Sequence, residues 1–301
     1  MIKYIVRKIT RLRYRLFAKK ERKLDQIDLK KGIIQRYERV YGITLDLDNP
    51  KTFAEKINWL KLHYRNPRII ECADKYLVRD FVKKCIGDKY LIPILGVWDR
   101  AEEVNFDDLP NSFVLKPNNS SGRVLICKDK SKFDTKNAVK VMKAWENENL
   151  TKLTGEWFYE KIPFKIVCEE FLEENITDYK MYYADGQFIA TQLILDREEG
   201  HKSFLYMDNE WNKLDIRRRG MPTFSGVPLK PVLYDEMIDI ANKLSKDFVF
   251  CRVDLYCVKN KIYFGELSFY PNNGFVCYET QQMDDYFSNK IKLARVENTN
   301  V

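Results

Sequence analysis

Ile2, Ile5, Val6, Ile9, Leu12 and Leu16 recur at spacings of three and four, one stripe of a helix whose other face is Lys and Arg. A second helical stretch over residues 25–42 stops at Gly42. Thr52-Phe-Ala-Glu55 has the form of a capping box and opens a helix to about His63. Another helix starts at Asp74-Lys75, with Tyr76, Leu77, Phe81 and Cys85 on its apolar side and Gly87 past its end. The middle of the chain reads as strands at about 90–97, 112–116, 123–127 and 165–171, with a helix at about 135–149. Asp185-Gly186 is a turn between strands 179–184 and 187–196. Residues 197–230 lack periodicity and read as a long excursion, and a helix at about 231–247 follows.

The most informative pattern comes last. Two β-branched and aromatic runs, Val249–Val258 and Ile262–Phe269, flank Lys-Asn-Lys and read as a hairpin. Arg252, Asp254 and Glu266 interrupt these apolar runs. A three-residue loop, Lys259–Lys261, pairs Asp254 with Glu266 and Arg252 with Ser268; a two-residue loop slips the register and sends the acids to opposite faces. Two opposed carboxylates repel by ~4 kcal/mol at ~4 Å and an effective dielectric of 20. A shared proton, a cation between them or the neighbouring Arg252 must offset that. Magnesium is a suitable cation, since it is commonly held by one or two carboxylates plus substrate phosphates.

Composition narrows the classes. At 301 residues and 45% hydrophobic, the chain can bury a sizeable core. Seven cysteines without C-x-x-C spacing are expected to be reduced and buried, as in a cytoplasmic protein. With only His63 and His201, zinc-ligand spacing and a histidine-based triad are both absent. The net charge is +8, but residues 1–24 carry ten basic residues and one acid. That arm holds +9, so the rest of the chain is close to neutral, at −1. No broad nucleic-acid face is expected. The arm itself suits the anionic inner leaflet of a membrane as a peripheral contact, or packing on the protein's own body.

Three further stretches are chemically suggestive. Phe113-Val-Leu-Lys116 runs into Pro-Asn-Asn-Ser120-Ser121-Gly122, a strand ending in lysine before a small, polar loop whose N–H groups can fold over an anion. Ile166-Val-Cys-Glu169-Glu170-Phe171-Leu172 is an apolar strand that meets two acids, able to offer backbone groups to an adenine edge and a carboxylate to a ribose. Asp46-Leu-Asp48 has the D-x-D form of metal-dependent sugar transferases, but it precedes a proline and a helix start and reads as a loop feature.

In this order, from about Lys51 to Leu293, these pieces resemble the ATP-grasp superfamily, in its TupA-like branch associated with teichuronopeptide and capsule synthesis. The resemblance implies an α+β fold in which two α+β lobes sandwich ATP behind an N-terminal helical region. Its divisions would be the basic helix 1–24, a mainly helical region 25–105, a first lobe 106–172 and a magnesium-binding second lobe 173–295. It implies that Arg79 and Lys116 hold ATP phosphates under a mobile loop of Ser120, Ser121 and Gly122. Glu169, Glu170, Phe171 and Leu172 would form the adenine hinge, with Glu173 or Glu174 near the ribose. Lys180 would touch phosphate, Asp254 and Glu266 would hold Mg2+, and Arg252 would steady the transferred phosphoryl group. Relatives often carry Glu-x-Asn where this chain has Glu266-Leu-Ser268, so the third ligand falls to Ser268 or to Asn272 or Asn273. The implied reaction joins a carboxylate to an amine through an acyl phosphate. The expected partners are ATP, a sugar acid or glycan intermediate and an amine donor, with Arg197 and Arg217–Arg219 near the acceptor. The competing expectation is a nucleotide-sugar glycosyltransferase using Asp46 and Asp48.

Overall fold

The structure, a computed structural model, describes residues 28–173, 176–195 and 203–293. The expected helix at 1–24, Glu174 and Arg197 lie outside the described residues. The fold is α+β, with eight helices and ten strands among the described residues. Four helices come first: α1 (Leu29–Tyr41), α2 (Phe53–His63), α3 (Arg68–Ala73) and α4 (Val78–Ile86). Gly42 closes α1 in the left-handed region at φ 72°. The capping box of α2 is present in full: Thr52 accepts from Glu55 N, and the Glu55 carboxylate accepts from Thr52 N. Asp74 does not open α4. Its carboxylate accepts from Tyr76 N and Leu77 N in a turn, and the helix begins at Val78.

Two antiparallel sheets follow. The first has the order β1-β4-β2-β3, built from β1 (Ile94–Trp98), β2 (Phe113–Pro117), β3 (Leu125–Cys127) and β4 (Ile166–Glu170). Helices α5 (Thr135–Glu146) and α6 (Leu150–Thr154) lie between β3 and β4 in sequence. Phe113, Leu115, Cys127, Ile166 and Cys168 bury one face of this sheet with Met142 and Trp145 of α5. Alternation along β2 leaves Val114 and Lys116 on the other face.

The second sheet has the order β10-β9-β5-β6-β7-β8: β5 (Asp178–Ala184), β6 (Gln187–Leu195), β7 (Ser203–Met207), β8 (Lys213–Leu214), β9 (Phe250–Val258) and β10 (Lys261–Ser268). Residues read as an excursion from sequence therefore supply two strands. Ser203–Met207 is too short for its alternation to stand out, and it becomes a strand by pairing with β6. Helix α7 (Tyr234–Ser245) covers one face, and α8 (Gln281–Ser288) lies over part of the other. Phe287 of α8 is fully buried, with its ring edge-on to Phe53, Tyr182 and Tyr206 and stacked on Tyr278. Such a residue typically stabilises a core by about 3–5 kcal/mol relative to alanine. All seven cysteines are free thiols.

The hairpin is the instructive correction. Its turn has two residues, not three: Lys259 and Asn260 both take positive φ, and Val258 pairs with Lys261. That register would part the two acids. A bulge between Phe264 and Glu266 then adds one residue and restores Asp254 opposite Glu266 and Arg252 opposite Ser268. Gly265 occupies the bulge; a Cβ there would come within 3.0 Å of both Asp254 O and the Tyr256 ring.

Candidate functional site

The free faces of the two sheets border a cleft of about 580 Å³. From the first sheet it is lined by Val114, Lys116, Glu169 and Glu170, followed by Phe171, Leu172 and Glu173 where β4 has ended. From the second come Asp178, Lys180, Asp254, Tyr256, Gly265 and Glu266, and Gly122 and Lys75 close one side. The wall is organised by Glu169, which is 6% exposed. Its Oε2 lies 2.6 Å from Lys116 Nζ, and its Oε1 lies 3.8 Å from Arg79 Nη1. Burial lowers the Arg79 pKa, and Glu169 works against that shift.

Across the cleft, register places Lys180, Asp254 and Glu266 in one row over β5, β9 and β10. Arg252 grips Asp254 with two hydrogen bonds, Nε to Oδ1 at 2.6 Å and Nη2 to Oδ2 at 2.7 Å. Lys180 Nζ donates to Asp254 Oδ2 as well. Arg252 Nη2 also reaches Glu266 Oε1 at 3.3 Å and Ser268 Oγ at 3.0 Å, and Ser268 Oγ donates to Glu266 Oε1 at 3.1 Å. Burial alone would raise the Asp254 pKa, but Arg252 and Lys180 outweigh it and the net shift is downward.

These donors fit a hard cation. A carboxylate offers about four acceptor positions, and three at Asp254 are taken, leaving one on Oδ1. The Glu266 side chain is more open, at 35% exposure, and lines the cleft. No group of three or more His, Cys, Asp or Glu gathers among the described residues. A cation held here would have to draw the rest of its shell from substrate oxygens and water, as magnesium sites commonly do.

A second cavity, of about 200 Å³, shares Lys75, Gly265 and Glu266 with the cleft. It receives Ser120, Ser121, Arg252, Ser268, Asn272 and Asn273. The expected site residues are thus divided: Lys116, Gly122, Glu169–Glu173, Lys180 and Asp254 line the cleft, the last six line the smaller cavity, and Glu266 lines both. Arg79 joins the cleft wall through Glu169. Asn272, set at φ 48°, has its side-chain amide against the Arg218 guanidinium, where the oxygen is the atom that suits those donors.

Lys75 gave no sequence signal beyond its place near a helix start, yet its Nζ donates to Ser120 O and pins the loop after β2. Burial lowers its pKa, and Glu266 raises it in part. Lys61 and Glu156 were equally silent, being single charges in ordinary helical and turn sequence, although both are buried. Of the expected acceptor arginines, Arg217 lies 3.5 Å from Asp215 and 3.3 Å from Glu279, and Arg218 packs over Phe204. Asp46 Oδ1 accepts from Asp48 N and Asn49 N in its own turn, and neither aspartate lines the cleft.

Residues 55–292 match the family model described as TupA-like ATPgrasp. No curated protein matches the chain. Among solved structures, D-alanine–D-alanine ligase from Bacillus anthracis is 18% identical, with a TM-score of 0.40 over 66% of this chain. This chain spans 57% of that one. The corresponding Helicobacter pylori ligase is 14% identical, with a TM-score of 0.46 over 81% of this chain and 70% of its own. N5-carboxyaminoimidazole synthetase from Staphylococcus aureus, solved with ADP, is 13% identical, with a TM-score of 0.44 over 75% of this chain and 58% of its own. At such scores these likenesses carry no functional weight.

Proposed function

The chain belongs to the TupA-like ATP-grasp family, and on that premise we propose that it is an ATP- and magnesium-dependent carboxylate–amine ligase. The observation that carries this reading is the in-register pair Asp254 and Glu266, facing a cleft whose other wall holds Lys116. ATP lies in the cleft, with its base against Phe171 and Leu172 and its phosphates toward Lys116, Lys180 and the Ser120–Gly122 loop. Glu173 is the ribose partner among the described residues. Asp254 and Glu266 would hold Mg2+, which would supply neutralisation of the phosphate charge. Ser268 is the nearer candidate for a third ligand, since it already hydrogen-bonds Glu266, while Asn272 is engaged by Arg218.

Phosphoryl transfer to a carboxylate requires alignment and charge neutralisation, with little covalent work by the protein. Arg252 is suited to that task because Asp254 holds it in a fixed orientation with its Nη2 turned to Glu266 and Ser268. The acceptor is a sugar acid or amino-sugar intermediate of cell-surface polysaccharide synthesis, in keeping with the family's TupA-like character. No helix among the described residues is long and apolar enough to cross a membrane. The basic, amphipathic sequence 1–24 supports a peripheral contact with anionic lipid. Cosedimentation with anionic vesicles, with and without that arm, tests this part.

Calorimetric titration with ATP, with and without magnesium, tests the core of the reading. Absence of nucleotide binding at millimolar ligand overturns it. Mass spectrometry of reactions with uronic acids and candidate amines then identifies the product. The nucleotide-sugar alternative requires Asp46 and Asp48; alanine at both positions is expected to leave nucleotide binding intact.

A further inference from the structure

The smaller cavity contains a buried carboxylate that the ligase chemistry above does not use. Glu156 follows α6 directly, after Gly155, whose φ of 76° ends that helix. Its backbone is pinned on both sides: Glu156 N donates to Thr154 Oγ1 at 3.1 Å, and Thr151 Oγ1 donates to Glu156 O at 3.0 Å. The side chain is therefore held against the cavity from a rigid base. Glu156 is 6% exposed, and its Oε2 has no hydrogen-bond partner among the described residues.

The nearby cation does not meet this need. Lys61, fully buried on α2, donates to Asn58 Oδ1 at 3.3 Å, to Thr154 O at 3.2 Å and to Asn273 O. Its three hydrogens are thus committed to Asn58 on the same helix, to the end of α6 and to the turn that follows β10. Burial lifts the Glu156 pKa to about 7, with Lys61 and side-chain hydrogen bonds from Thr154 and Tyr159 opposing the rise and Glu266 adding to it, and only Oε2 is left without a donor. A buried carboxylate oxygen left without a donor is costly, and such a group calls for an explanation in water, an ion or a ligand.

The surroundings favour a cationic ligand with a short organic body. Phe158, Tyr159, Phe269 and Tyr270 line the same cavity and supply its aromatic surface. The same cavity is lined by Lys75, Gly265 and Glu266, the wall it shares with the nucleotide cleft, and Glu266 acts on the charge of Glu156. A molecule anchored by an ammonium group at Glu156 therefore lies next to the point of phosphoryl transfer. We propose that this cavity is the binding site for the amine substrate, a primary ammonium compound whose cationic group is hydrogen-bonded by Glu156 Oε2. The assignment rests on the ligase reading for what the amine is used for, and on Glu156 alone for where it binds.

The test is a titration of the full chain, with magnesium and a non-hydrolysable ATP analogue, by saturation-transfer NMR. The probes are ethanolamine, neutral ethylene glycol of similar size and anionic glycolate. Ethanolamine is expected to bind in preference to both. Glu156→Gln is expected to weaken ethanolamine about tenfold, the scale of a charged hydrogen bond, and to leave analogue affinity unchanged. Nucleotide binding without any preference for ethanolamine overturns this inference and spares the ligase reading. Absence of nucleotide binding overturns both. Should Glu156→Gln not fold, the ranking of the three probes on the unaltered chain decides alone: equal affinities overturn the assignment, and ethanolamine first supports it.

Discussion

Lys116 Nζ sits 2.6 Å from Glu169 Oε2, bridging the strands β2 and β4 on the cleft side of the first sheet. Both side chains are largely buried, at 16% and 7% exposure, so the pair is neither a freely solvated surface contact nor a dry one. Lys116→Ala is expected to lower ATP affinity by about tenfold or more through loss of a charged phosphate contact. Arg79 still faces Glu169, so the cost in stability should be modest, about 1–2 kcal/mol. Calorimetry and urea denaturation read the two effects separately. Unchanged nucleotide affinity in a folded variant would remove Lys116 from the phosphate site.

Glu266 and Asp254 should behave differently although they are paired. Glu266→Gln is expected to abolish the magnesium-dependent increment in nucleotide affinity and leave magnesium-free binding within about twofold, because Glu266 is the more open of the two. Asp254→Asn should instead destabilise the fold by about 3–5 kcal/mol, since it leaves the buried Arg252 and Lys180 without their common anion. Equal effects of both changes on stability would refute this division.

The lowered Asp254 pKa fixes the sign of a pH effect. The unfolded carboxyl binds protons more tightly than the folded one, so the stabilisation from Asp254 is complete above the ordinary aspartate value near 3.8. It is lost as pH falls from there through the lower folded value. Acid unfolding followed by circular dichroism should accordingly be less steep in Asp254→Asn over that range.

Asp284 gives the opposite sign. It accepts from Phe53 N at 2.7 Å at the start of α2, and burial pushes its pKa up to about 6, against the hydrogen bond from Phe53 N. Between about 4 and 6 the folded protein holds a proton that the unfolded chain has released, so stability falls as pH rises. The shift from 3.8 to about 6 corresponds to roughly 3 kcal/mol. Asp284→Asn is expected to flatten that decline, as measured by denaturation at pH 4 and pH 7. An unchanged difference between the two pH values would contradict the assignment.

Much of the architecture could be read from the chain because it is locally encoded. Thr52 and Glu55 specify their capping box within four residues, and Asp185-Gly186 specifies its turn. Lys75, Lys61 and Glu156 could not be found that way. Their significance comes from partners far along the chain, Ser120 for Lys75 and Asn273 for Lys61, and from burial that a single charged letter does not announce. Ser203–Met207 was missed for the related reason that a five-residue strand is stabilised by its neighbour more than by its own pattern. The Asp254–Glu266 pairing was expected from a three-residue loop; it arises from a two-residue loop and the extra residue at Gly265.

That substitution of one device for another has an evolutionary corollary. Tip and kink contribute the same single step of offset, so either can be exchanged for the other without moving the acids. Among homologous chains, an insertion at the hairpin tip should coincide with a deletion near Gly265, and one change without the other should mark a chain that has lost the paired acids as a unit.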